Sequence, residues 1–131
     1  MDKQLLGMYG EIIASRYLRE HGYLILSAHY SCRMGDVDLI AKDKKYVCFV
    51  EVKTRSENMK YAPADAVDSA KRKRIIATAG LFMKENAIKL QPRFDIIEIY
   101  FENDEPVKLN HIEGAFDSNG QYIIVEKQTF I

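Results

Sequence analysis

The sequence predicts a single α/β domain in which helices cover a mixed sheet, and three observations carry that reading. The chain has 131 residues, the length of one domain able to bury a sizeable core. Apolar residues make up 47% of it and charged residues 29%, with few Pro and Gly, which is the composition of a folded chain rather than a disordered one. Segments of helical and strand periodicity follow one another in the order αβββαβ.

Residues 3–21 form the first predicted helix, because Leu6, Ile13, Ala14, Tyr17 and Leu18 share one arc and His21-Gly22 closes it. "YLILSAHY" (23–30) reads as a strand, and a polar loop leads on to Gly35. Strands near 36–42 and 46–53 are joined by a tight turn around "KDKK". Pro63 suits the start of a second helix, which runs to about Asn86. "RFDIIEIYF" (93–101) is a fourth strand, and strand, helix, strand implies a parallel pair joined by a crossover. Residues 117–131 continue as an extension of the same domain: an Asn119-Gly120 turn, then a β-prone run from Tyr122 to Val125. That run is too apolar to stand in water and is expected to pair with a sheet edge. The edge belongs either to its own chain or to a second copy, and the second arrangement makes a homodimer.

Net charge is zero, so any nucleic-acid binding must come from a local patch rather than a global basic field. The opening "MDKQLLGMYGEIIASRYLRE" is charged throughout and reads as neither signal peptide nor membrane span, and a cytoplasmic protein without membrane association is expected. Cys32 and Cys48 lack metal-site spacing and are read as reduced, structural thiols.

The segment "GDVDLIAKDKKYVCFVEVKTRS" (35–56) departs from ordinary strand chemistry. Asp36 and Asp38 stand at one end of an apolar strand, and Glu51 and Lys53 at the end of the next. With an even number of residues in the turn, the side-chain period of two puts Asp38, Glu51 and Lys53 on one face, with Asp38 opposite Glu51 or one position away. Two carboxylates and one lysine leave such a group negative, and desolvating it costs several kcal/mol per ion unless something pairs it. Oxygen ligands of this kind suit Mg²⁺ or Mn²⁺. The ordinary alternative is a salt bridge at a strand edge.

An Asp followed by E-x-K on the neighbouring strand, in an αβββαβ order, resembles the PD-(D/E)XK nuclease superfamily. "GEIIASRYLREHGY", "GDVDLIAKD", "FVEVKTRS", "PADAVDSAKRKRI", "RFDIIEI" and "HIEGAF", in that order, resemble the YraN family, small bacterial proteins predicted to be endonucleases related to Holliday-junction resolvases. The resemblance implies a restriction-endonuclease-like core over residues 1–116. It implies that Asp38 and Glu51, helped by the main-chain carbonyl of Val52, would hold Mg²⁺ or Mn²⁺. Lys53 would act on the attacking water and the phosphate, and Glu11 matches the helical glutamate of the resolvase-like branch. The family more often has Glu at the first acidic position, where this chain has Asp36. Nothing carries over to residues 117–131.

Arg33, Arg55, Lys71, Arg72 and Arg74 are the clustered cations available for phosphate contact. Lys71 lies in the middle of the second helix's apolar arc, from which it either snorkels or reaches the site. Tyr61 could stack on an unpaired base or simply pack. His29 and His111 are read as ordinary structural residues, and Asp95 as the partner of a core arginine or of Lys71. The expectation is a metal-dependent DNA endonuclease, structure-selective on branched or junction DNA in repair. The alternatives are a nuclease-fold protein that binds branched or single-stranded nucleic acid without cutting it, and a structural partner in a repair complex.

Overall fold

A computed structural model describes residues 1–56 and 67–123, together with the backbone of residues 128–130. Tyr61 and Pro63 lie outside the described residues. Helix α1 (Lys3–Glu20) is capped by Asp2, whose side chain accepts the Leu5 N–H at 2.8 Å. Strands β1 (Leu24–Cys32), β2 (Gly35–Lys42) and β3 (Tyr46–Ser56) follow, then helix α2 (Ser69–Glu85), β4 (Gln91–Glu102), β5 (Glu105–Phe116) and the short β6 (Gln128–Phe130). The strands form one six-stranded sheet in sequence order. The β3–β4 pair is parallel across α2 and every other pair is antiparallel, so the sheet is mixed as expected.

The helices pack on opposite faces and give the domain two cores. On the α2 side, Val47, Phe49, Phe94 and Ile96 of the sheet meet Ile75, Ala79 and Phe82. On the α1 side, Cys48, Val50, Ile97 and Ile99 meet Ala14, Tyr17 and Leu18. Because β3 is covered on both faces, its sequence "YVCFV" is a continuous apolar run instead of an alternation. Cys48 is buried within it, and neither cysteine is bridged.

Two elements differ from the sequence expectation. Helix α2 begins at Ser69, because Asp68 is extended and its carboxylate accepts the Lys71 N–H at 2.8 Å; the expected start at Pro63 lies outside the described residues. Strand β5 was not expected. It pairs with β4 across a turn in which Asn103 and Asp104 both have positive φ, 51° and 63°. A two-residue turn of that kind matches the twist of the strands it joins.

The extension turns where expected. Asp117 Oδ1 accepts the N–H groups of Asn119 and Gln121, Tyr122 makes an isolated bridge to Phe116, and β6, beyond the expected run, pairs with β5; Ile124 and Val125 lie outside the described residues. No helix among the described residues is long and apolar enough to cross a membrane.

A buried polar network ties α1 to the sheet. The Tyr17 hydroxyl meets His111 Nδ1 at 2.8 Å, and His111 Nε2 meets Asp95 Oδ2 at 2.8 Å. Arg93 donates through Nε and Nη2 to both oxygens of Asp95, at 2.9 Å each. Asp95 therefore pairs with a core arginine, and His111 has a structural place.

Candidate functional site

The β2–β3 turn decides which side chains meet. Lys42 pairs with Val47, leaving the four residues Asp43–Tyr46 between them, and Asp43 Oδ1 fixes the bend by accepting the N–H groups of Lys45 and Tyr46. The ladder is continuous to Leu39↔Val50. One further step along each strand, past the last paired residues, come Asp38 and Glu51, whose carboxyls interact. Beyond that step the strands part, and the Asp38 carboxylate fills the gap by accepting the Val52 N–H at 2.8 Å.

Asp38 also sits at a break on its other side. The β1–β2 ladder passes from Ala28↔Leu39 to Tyr30↔Val37 and leaves out His29 and Asp38. His29 has a φ of 55°, a backbone conformation uncommon for a residue other than glycine. Its imidazole Nε2 lies 3.0 Å from Glu11 Oε1 on α1.

Glu51 is the most confined member of the group, only 1% exposed. Burial and the neighbouring charge of Asp38 push its carboxyl up to about 8, against the pull of Lys71. The Lys71 ammonium, in the first turn of α2, lies 3.1 Å from Glu51 Oε2. Neither Glu51 oxygen has a well-formed hydrogen bond among the described residues, and Lys71 stands by Oε2 as an ion pair. Lys53 is half-buried on the same strand, and burial followed by the charge of Lys71 lowers its pKa. Glu11 closes the group from the α1 side, its carboxyl raised by burial and by Asp38 and lowered by His29.

These contacts change the charge argument. Lys53 alone would leave Asp38 and Glu51 in excess; Lys71 adds a second cation, while Glu11 brings a third carboxyl beside Asp38. Lys71 thus reaches the site and does not merely snorkel. Neither its contact with Glu51 nor the place of His29 could be read from sequence. Each depends on how separate elements meet.

Three glycine and cation positions bring the elements this close or hold them there. A Cβ on Gly10 would overlap Thr54 Cγ2, so glycine lets α1 lie against β3 at the residue next to Glu11. Gly35, at φ 154°, would carry its Cβ to 3.1 Å from both Arg74 Cβ and Thr78 Oγ1, so glycine lets the start of β2 meet α2. Arg72 donates to Gly120 O and Val67 O at 2.7 Å each and lies over the Tyr122 ring at 4.1 Å. That occupation differs from the phosphate contact expected of it, because α2 uses this side chain to hold the extension. Arg55, also expected at the surface, is only 8% exposed at the end of the doubly covered β3. Arg33 and Arg74 are exposed.

The donor set fits a hard divalent cation. Among the described residues no three His, Cys, Asp or Glu side chains converge as a ready-made ligand set. Mg²⁺ characteristically takes only one or two carboxylates, together with water and substrate oxygens. Two adjacent carboxylates, one with a buried oxygen lacking a donor, match that requirement.

A family model described as the uncharacterised protein family UPF0102 matches residues 10–99. A UPF0102 protein of Caldanaerobacter subterraneus subsp. tengcongensis is 41% identical over 119 residues, covering 88% of this chain and 98% of that protein. A UPF0102 protein of Clostridium tetani is 39% identical, covering 85% of this chain and 93% of its own length. One of Syntrophotalea carbinolica is 40% identical, with 88% and 94% covered. The names of these relatives state a family and no activity.

Proposed function

We propose that this chain, which belongs to the uncharacterised protein family UPF0102, is a metal-dependent endonuclease that hydrolyses phosphodiester bonds in DNA. The observation that carries the reading is the interaction of the Asp38 carboxyl with the buried Glu51, with Lys53 two residues further on the same strand. Asp38 and Glu51 would hold Mg²⁺ or Mn²⁺, with the Val52 carbonyl as the further ligand implied by the resemblance. A cation bound there supplies Lewis acidity toward a phosphoryl oxygen and eases the ionisation of water.

The chain's own groups carry the remaining tasks. Asp38 keeps its orientation through the Val52 N–H, so one carboxylate oxygen is fixed before any ligand arrives. Lys53 donates to the phosphate oxygen on which charge develops. Its burial makes that contact stronger than it would be in open water. Glu11 bounds the site on the α1 side and can orient water there. Exposed Arg33 and Arg74 would meet flanking phosphates. Selectivity for branched or junction DNA, and a place in repair, rest on the resemblance to resolvase-like nucleases.

One observation favours a second reading. Because Lys71 pairs with Glu51, that carboxylate has a counter-ion without a metal, as suits a nuclease-fold protein that binds branched or single-stranded nucleic acid without cutting it. Incubation with labelled junction, flap and single-stranded DNA, with and without Mg²⁺ or Mn²⁺, separates the two. Metal-dependent products support the nuclease. Retarded but intact DNA under every condition supports the binder.

A further inference from the structure

Four charged side chains meet at the β2–β3 strand ends: Asp38, Glu51, Lys53 and Lys71. Glu11 adds a third carboxyl beside Asp38 from the α1 side. A divalent cation entering between Asp38 and Glu51 would bring a third positive centre against two ammonium groups in a confined space, which is costly. Something must then move.

Lys53 is anchored on β3 beside Glu51. Lys71 comes from a different element, and its side chain is 31% exposed. Its ammonium lies 3.1 Å from Glu51 Oε2, within the space a cation bound to that oxygen would need. A cation held by Oε2, or by both Glu51 oxygens, would compete with the ammonium for it. Lys71 also stands in the first turn of α2, three residues from exposed Arg74 and on the side of the sheet where Gly35 brings β2 against that helix. A long, part-exposed side chain leaving Glu51 would swing toward the surface on which a phosphate backbone would lie.

We propose that Lys71 is an exchangeable counter-ion: it neutralises Glu51 while the site lacks metal, is displaced when a divalent cation binds, and is thereby released to a DNA phosphate. The inference rests on the proposed metal site and assigns Lys71 to two alternating partners. It also explains how a chain with no global basic field could add positive charge at the scissile position only once the metal is loaded.

Calorimetric titration with MnCl₂ of the wild type, Lys71→Gln and Glu51→Gln tests it. Removing a like charge from the cation's place should tighten Mn²⁺ binding by Lys71→Gln about tenfold or more, roughly 1.4 kcal/mol. Glu51→Gln should lose binding. Unchanged or weaker binding by a folded Lys71→Gln, with wild type binding and Glu51→Gln not, overturns the exchange and leaves the metal site standing. No binding by wild type or Lys71→Gln overturns both. Binding by Lys71→Gln alone supports the exchange.

A second measurement uses the unaltered protein. Acetylation by an amine-reactive ester, read by peptide mass spectrometry, should rise at Lys71 on adding Mn²⁺ and stay level at exposed Lys73 of the same helix. A constant Lys71 signal under saturating Mn²⁺ contradicts displacement.

Discussion

The Asp38 carboxylate accepts the Val52 N–H at 2.8 Å, and so one side chain does the work of the missing rung where β2 and β3 separate. Main chain and candidate metal ligand are therefore coupled. Asp38→Asn keeps an oxygen able to accept that N–H and removes only the charge. It should unfold within about 1 kcal/mol of wild type, the scale of one ordinary hydrogen bond, and lose Mn²⁺ binding by calorimetry. Retained Mn²⁺ affinity in a folded Asp38→Asn would remove Asp38 from the ligand set.

Lys53 makes its contribution when charge develops on the phosphate. Lys53→Ala is expected to bind Mn²⁺ and to lose turnover by about two to three orders of magnitude, the scale of one preorganised electrostatic contact. Single-turnover kinetics on a cleaved DNA would check this. A loss below tenfold makes Lys53 a salt-bridge partner only.

The Asp95 centre predicts an acid limb in stability. Burial pushes its pKa up, but the hydrogen bonds from His111 and Arg93 and the charge of Arg93 outweigh burial and hold it below the usual carboxylate value. A depressed folded pKa stabilises the fold above the unfolded value near 4, and that contribution is lost as pH falls through the lower folded value. Urea midpoints should therefore decline below about pH 4 in wild type, and less steeply in Asp95→Asn. At neutral pH, Asp95→Asn should cost about 3–5 kcal/mol, because Arg93 keeps a buried charge without its anion. Parallel acid profiles for the two proteins would assign the decline elsewhere.

Close packing of α1 on β3 is testable through its smallest contact. Gly10→Ala places a methyl group on Thr54 Cγ2 and should destabilise by about 1–3 kcal/mol. Adding Thr54→Ser removes that methyl and should recover most of the loss. Additive losses in the double variant, measured by urea unfolding, would mean that the two residues do not define the spacing.

The sequence carries its information about this site unevenly. Asp38, Glu51 and Lys53 were legible together because strand period and turn length follow from local chemistry, and the register agrees. Lys71 was visible as a misplaced cation in an apolar arc. Its partner was not, because only the packing of α2 beside β3 brings it to Glu51. His29 gave no signal, since a left-handed residue in mid-strand has no marker when it is not glycine. Strand β5 was hidden by Pro106, Lys108 and two buried polar residues, Asn110 and His111, which break alternation. Its turn residues, Asn103-Asp104, were the available clue. The same interruption left His111 looking ordinary, although Tyr17 and Asp95 meet through it.

Cleavage of DNA by wild type and Glu51→Ala, side by side in Mg²⁺ and in Mn²⁺, tests the central claim most directly. The substrates are a four-way junction, a flap, a duplex and a single strand, each labelled at one end. Discrete metal-dependent products from at least one substrate are expected with wild type, and none above background with a folded Glu51→Ala. Equal cleavage by both proteins, or intact DNA in every wild-type lane, would contradict that claim.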